Sequence, residues 1–169
     1  MIKEIQEIQA IQNSVFSKLD CSITNLSKDL ECEEYFGYNF QLNTFSIKFR
    51  KAKLTPKKVG QFVTLWKRNP ETLETEPFTQ QDHFNFYIVS TESGINNGFF
   101  IFSKEVLIQN KILTTSFKEG KRGFRVYPDW DIPQNKQAEK TKKWQEKSFI
   151  NLSENNSLEK FKAILDTKF

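Results

Sequence analysis

Between Tyr35 and Pro70 the chain holds no aspartate or glutamate, although 21 acids are spread over its 169 residues. An even spread would place about four or five there, so the gap is a feature of the segment. Other scarcities exclude whole classes of protein. One His and two Cys fall short of a zinc site, and Cys21 and Cys32 alone do not make a disulfide framework. No metal and no cofactor are therefore expected. No apolar run approaches the roughly 20 residues that span a bilayer, and the first residues lack the apolar stretch of a secretory leader. The expected location is the cytoplasm, with no membrane partner.

What is present is charge in blocks. Residues 1–34 carry a net −4, 35–70 carry +8, 71–110 carry −5, 111–150 carry +5, and 151–169 balance. Two basic blocks separated by acidic ones predict distinct faces. Rings supply the core: 17 Phe, 4 Tyr and 3 Trp bury much area each. The length fits one domain, residues 1–169. It divides into a helical segment at 1–34, an α/β core at 35–150 and a final helix at 151–169.

Periodicity gives the elements. Ile2, Ile5, Ile8, Ile11, Val15, Phe16 and Leu19 share one arc at helical spacing, with Lys3, Glu7, Ala10, Ser14 and Lys18 facing away. Ser22 to Leu30 reads as a shorter helical or irregular piece. Then the period changes to two: Tyr38, Phe40 and Leu42 alternate with Asn39, Gln41 and Asn43, and Phe45, Ile47 and Phe49 with Ser46, Lys48 and Arg50. This predicts a β-hairpin turning at Asn43-Thr44. Thr55 to Gly60 reads as a short helical turn, Gln61 to Arg68 as one strand, and Phe84–Ser90, Gly98–Phe102 and Gly123–Tyr127 as others. Lys104 to Asn110, Gln134 to about Ile150, and a segment capped by Ser157 read as helices. The expected class is mixed α/β, with a mostly antiparallel or mixed central sheet and flanking helices.

Three basic features could hold phosphates. The hairpin offers Lys48 and Arg50, with Lys51 and Lys53 just beyond, Lys57 and Lys58 in the turn, and Lys67 and Arg68 at the end of the next strand. Excluding carboxylates favours a phosphate as much as adding bases does. A solvated sheet edge guarded by lysines accounts for the same residues. The second feature, Lys118 to Arg125, puts Lys121, Arg122 and Arg125 around two glycines. The third is a stripe of Lys136, Lys140, Lys143 and Lys147 within about 60° on a helical wheel. Trp66, Tyr127 and Trp130 are candidates to stack on bases.

A metal-dependent nuclease would need carboxylates to hold its metal and a Lys beside them. The set near the basic blocks is Asp82 with Glu119 and Lys121. His83 reads as structural, and no nucleophile–base signature is present.

Tyr38–Asn43, Ile47–Arg50, Thr55-Pro56, Val59–Trp66, Lys118–Pro128 and the helix bearing Lys140-Thr141 and Trp144-Gln145 together resemble the MepB-like proteins over about residues 35–150. The resemblance implies a bacterial cytoplasmic protein with a core like that of restriction endonucleases and a role in binding nucleic acid. Families of this kind are sometimes encoded beside a multidrug efflux pump. In an endonuclease-like sheet an acid-x-Lys pair would stand on a strand next to the hairpin, yet Gln61 to Arg68 contains no acid. The expectation is therefore binding to DNA or RNA without cleavage; the alternatives are a metal-dependent nuclease and a protein-interaction adaptor.

Overall fold

The computed structural model describes residues 2–167, with side chains from residue 6 onward. Helix α1 (Ile2–Ile11) runs into a π-helical turn at Gln12–Phe16 and a 3-10 turn at Ser17–Leu19. Ile8, Ile11, Val15 and Phe16 are buried along the expected arc. The side chains of Ile2, Lys3 and Ile5 lie outside the described residues. Asp20, at φ 55°, ends the helical run.

Among the described residues eleven strands follow in three sheets. They are β1 (Ile23–Lys28), β2 (Tyr38–Leu42), β3 (Phe45–Lys51), β4 (Lys53–Leu54), β5 (Gln61–Thr64), β6 (Trp66–Arg68), β7 (Thr75–Pro77), β8 (Phe86–Ser93), β9 (Asn96–Ser103), β10 (Gly123–Val126) and β11 (Phe149–Asn151). Three further helices are α2 (Lys104–Gln109), α3 (Lys136–Gln145) and α4 (Ser157–Asp166). The main sheet has the order β1-β2-β3-β8-β9-β11. Its pairs are antiparallel except β3 with β8, which run parallel. A parallel pair needs a long crossover, and here residues 52–85 supply it. The crossover contributes β4 and β5 to a small sheet of order β10-β5-β4, and β6 to a ribbon with β7. The mixed α/β class with a mixed central sheet is the one expected.

The main sheet separates two cores. On one face Phe40, Leu42, Ile47, Phe86, Ile88 and Phe99 pack against Val15, Phe16 and Phe161 of the terminal helical segments. On the other, Tyr87, Val89, Phe100 and Phe102 meet Val63, Leu65, Phe124 and Val126. Strand β8 is thus buried on both faces, which is why Phe86–Val89 reads as a continuous apolar run instead of an alternating one. At about 25 cal/mol per Å² of apolar surface, rings of this size dominate the burial energy.

Five local expectations are corrected. Ser22–Leu30 contains strand β1, which pairs with β2. All but its first side chain are exposed and the register shifts between Thr24 and Ser27, so no period of two marks it. Gln61–Arg68 is two strands, broken at Leu65, whose N–H donates to the Arg122 carbonyl at 2.9 Å. Thr55–Gly60 is a non-helical turn joining antiparallel β4 and β5. Its reversal is completed by Gly60 at φ +85°, where an added Cβ would sit 2.7 Å from the Tyr127 ring. The long helix from Gln134 ends at Gln145, because Phe149 and Ile150 pair with Phe100 and Phe99 in the main sheet. Ser157 starts α4 and does not cap it; Asn156 precedes it without a side-chain cap.

Candidate functional site

The hairpin forms as expected, with Asn43 at φ 55° in a two-residue turn. Its polar face, however, is covered toward Arg50, while Gln41 and Asn43 stay exposed at the turn. Arg50 has no exposed surface. Its guanidinium donates to Asp29 Oδ2 at 2.5 Å and to the Phe49 carbonyl at 2.7 Å. Gly37 lets the preceding segment close over it, since a Cβ there would lie 3.1 Å from Arg50 Nη1 and 2.8 Å from Cys32 Cβ. The expectation that Arg50 faces phosphate is overturned: it is a core cation.

Its neighbours are also engaged. Lys48 is half-buried, donating to Asn39 Oδ1 at 3.2 Å and lying 4.5 Å from the Phe78 ring centre. Burial, aided by the Arg50 charge, holds the Lys48 amine below its usual range. Lys51 pairs with Glu7 at 2.6 Å and Glu92 at 2.8 Å. Lys67 pairs with Asp82 at 2.8 Å, and Arg68 with Glu31 at 3.3 Å. Lys53 is exposed and stands 4.0 Å from Glu34, over the Tyr35 ring. Five of the segment's eight bases therefore find acids contributed from outside it.

Of the other three, Lys48 stays against Asn39, while Lys57 and Lys58 meet cations of the second basic block elsewhere. A cleft of about 400 Å³ is lined by Lys57 and Lys58 from the 55–60 turn, Lys121, Arg125 of β10, and the first turns of α3. No carboxylate among the described residues lines it. Among the described residues these four cations form no ion pair. The two basic blocks of the sequence thus share one wall.

The scaffold holds each piece. Antiparallel pairing sets Arg125 opposite Phe62, and Arg125 Nη1 reaches the Gly60 carbonyl at 3.4 Å. Lys121 is fixed by its N–H to the Ile112 carbonyl at 2.8 Å. The adjacent Gly120 lies against the Ile112 and Leu113 backbone, where a Cβ would come within 2.2 Å. Helix α3 is capped by Asn135, which accepts from the Ala138 N–H at 2.9 Å. Buried Gln145 then bolts it to β10, accepting from the Tyr127 N–H at 2.8 Å and donating to the Arg125 carbonyl at 2.9 Å. The backbone beneath Lys121 and Arg125 is thus fixed, while the lysine side chains stay exposed at the cleft.

The remaining candidates lie apart from this wall. Lys136, Lys140 and Lys143 are exposed on α3, roughly 100° round the helix from Gln137, Thr141 and Trp144, which line the cleft. Arg122 points away, donating to the Thr75 carbonyl at 2.9 Å and pairing with Glu119 at 3.4 Å. Asp82 accepts from the Thr79 N–H at 2.6 Å as well as from Lys67. Burial alone would raise the Asp82 carboxyl, but these bonds outweigh it and hold the group below its usual range. Among the described residues no cluster of three His, Cys, Asp or Glu side chains could hold a metal ion. Trp66 lies under Arg68 and Trp130 against Phe149, whereas Tyr127 reaches the cleft.

Sequence reasoning missed Asn110, Gln134, Gln137 and Trp144 as cleft residues. Trp144 entered only through the helix motif that resembles the MepB-like proteins, and uncharged amides carry no signal in a charge count.

These features define a mixed α/β protein with an open basic cleft between its small sheet and a helix. The model of the MepB-like family matches residues 29–151, and the chain belongs to that family. A crystal structure of MepB is similar at a TM-score of 0.76 and 32% identity, over 79% of this chain and 89% of that one. The bacterial homing endonuclease I-Ssp6803I is similar at a TM-score of 0.47 and 14% identity, over 82% and 84%; a likeness that low carries no argument. A comparison with curated proteins gives no match. No helix among the described residues is long and apolar enough to cross a membrane.

Proposed function

We propose that this protein binds nucleic acid through its phosphates, at the cleft walled by Lys57, Lys58, Lys121 and Arg125, and does not cut it. One observation carries the reading: four cations from separate basic blocks meet without an ion pair or a carboxylate on the wall. Cations gathered on one wall without counter-charges favour a ligand whose phosphates neutralise several of them at once. A metal-dependent nuclease would need Asp82 and Glu119 to turn toward one ion. Each is instead engaged by a different cation, Lys67 and Arg122 respectively.

The test is retention of labelled DNA and RNA across a salt series. Binding should weaken linearly on logarithmic axes, with a slope of about −0.7 to −0.9 for each phosphate neutralised. Reversing Lys57 and Lys58 to Glu should abolish retention. Both residues are exposed, so stability should move by no more than about 0.5 kcal/mol. Absence of retention by the wild-type protein at low salt sinks the reading.

A further inference from the structure

We infer that the cleft takes a single nucleoside phosphate unit, so that the protein prefers unpaired or terminal nucleotides to continuous duplex. The inference rests on the phosphate reading above and adds what the cleft accepts besides phosphate.

Size comes first. A volume of about 400 Å³ lies within the usual range for small-ligand pockets, about 300–1,000 Å³. A double helix needs instead a long track of cations along its two strands. Such a track is missing from the hairpin, because Arg50, Lys51, Lys67 and Arg68 are already neutralised by Asp29, Glu7, Asp82 and Glu31. Uncompensated cations remain at this one concave place and on the exposed stripe of Lys136, Lys140 and Lys143, which stands on a different face of α3.

The lining supplies the rest of a nucleotide's chemistry. Phe124, Tyr127 and Trp144 give the cleft ring surfaces. Trp144 is half-buried and held by the Phe102 ring at 5.5 Å, which leaves its remaining surface for a base. Polar groups accompany the rings. Gln134 and Gln137 are exposed at the cleft, each able to donate and accept. Asn110 spends its amide N–H on the Val106 carbonyl at 2.9 Å, leaving its carbonyl oxygen to accept. Base edges present the same mixture of donors and acceptors. A phosphate site alone would need the four cations and neither the rings nor the amides.

A free nucleotide and the end of a nucleic acid present this same unit, and the experiment separates them. Fluorescence polarisation at low salt would compare a labelled single-stranded oligonucleotide with its blunt duplex. Adenosine monophosphate, adenosine and inorganic phosphate would serve as competitors, and tryptophan emission would be followed with adenosine monophosphate alone. Single strand should bind at least ~10-fold tighter than duplex, the worth of one stacked base. Adenosine monophosphate should compete where adenosine and phosphate do not, and should quench emission saturably in the wild type but not in Trp144→Phe, which keeps a ring against Phe102. Gln137→Ala should weaken binding of the mononucleotide and leave the salt slope of oligonucleotide binding unchanged. Equal affinity for single strand and duplex, without competition by the mononucleotide, overturns the inference while the phosphate reading stands. Quenching by the mononucleotide with no oligonucleotide bound keeps the site and overturns the nucleic-acid reading. No binding of any probe overturns both.

Discussion

Arg50 and Lys58 belong to the same acid-free segment and meet opposite fates. Arg50 is fully buried with Asp29 against its guanidinium, whereas Lys58 stands exposed on the wall of a cleft that no carboxylate among the described residues lines. The contrast separates two meanings of a local charge imbalance. A segment without acids can be a cationic surface, or a strand whose counter-charges arrive from elsewhere in the chain. Here it is both: β3 lies inside the main sheet and, like β6, receives acids from distant stretches, while Lys57 and Lys58 of the 55–60 turn receive none among the described residues.

The sharpest way to break this contrast is Arg50→Ala. Removing one partner of a buried ion pair leaves the other uncompensated, so a loss of about 3–5 kcal/mol is expected by urea denaturation. At temperatures where the variant stays folded, its retention of nucleic acid and its salt slope should match the wild type. A variant of unchanged stability that lost retention would return Arg50 to the binding surface. Arg50→Glu would be a poor probe of binding, because it would set two carboxylates together in the core.

The division was only half legible beforehand. Alternation placed the hairpin, its turn at Asn43 and its apolar face, because each of those is set by neighbours in sequence. It also marked Lys48 and Arg50 as sharing a face. What alternation cannot say is whether that face meets solvent. That depends on residues 52–85 folding back over it, and on Asp29, which sits in a segment that read as helical or irregular. The cleft was legible in the same partial way. Its cations were picked out by charge counting in two separate blocks, while their convergence depends on the pairing of β5 with β10 and on Gln145, which nothing in the local sequence distinguishes.

A smaller effect tests the middle of the contrast, where Lys67 is neutralised but only part-buried. Since Asp82 is held below its ordinary value of 3.8, its contribution to stability is present above that pH and lost as pH falls through the lower folded value. Asp82→Asn should therefore cost about 1 kcal/mol at neutral pH, the scale of a partly screened pair with its hydrogen bonds. The gap to the wild type should close on acidification below about pH 4. A gap that persists in acid would mean that the Asp82 side chain acts through packing and not through charge.

The smallest expected effect is at Lys48, and there the sign is the informative part. A lysine whose folded pKa is depressed is more costly to keep charged in the folded chain than in the unfolded one. That cost is fully present below the depressed folded value and disappears as pH rises toward 10.5, where the unfolded lysine also gives up its proton. Lys48→Met keeps the aliphatic stem and removes the charge beside Arg50, at the loss of the bond to Asn39 and the contact with the Phe78 ring. If burial and the Arg50 charge outweigh those two contacts, the variant should be slightly more stable at pH 7, by less than about 1 kcal/mol, and the gain should shrink in alkali. Destabilisation would show that the ammonium's hydrogen bond to Asn39 and its cation–π contact with Phe78 outweigh the cost of burying it. Either sign leaves retention of nucleic acid at the wild-type level if the functional cations are those of the cleft. A loss of retention in Lys48→Met would extend the binding surface onto the hairpin and erase the boundary drawn between Arg50 and Lys58.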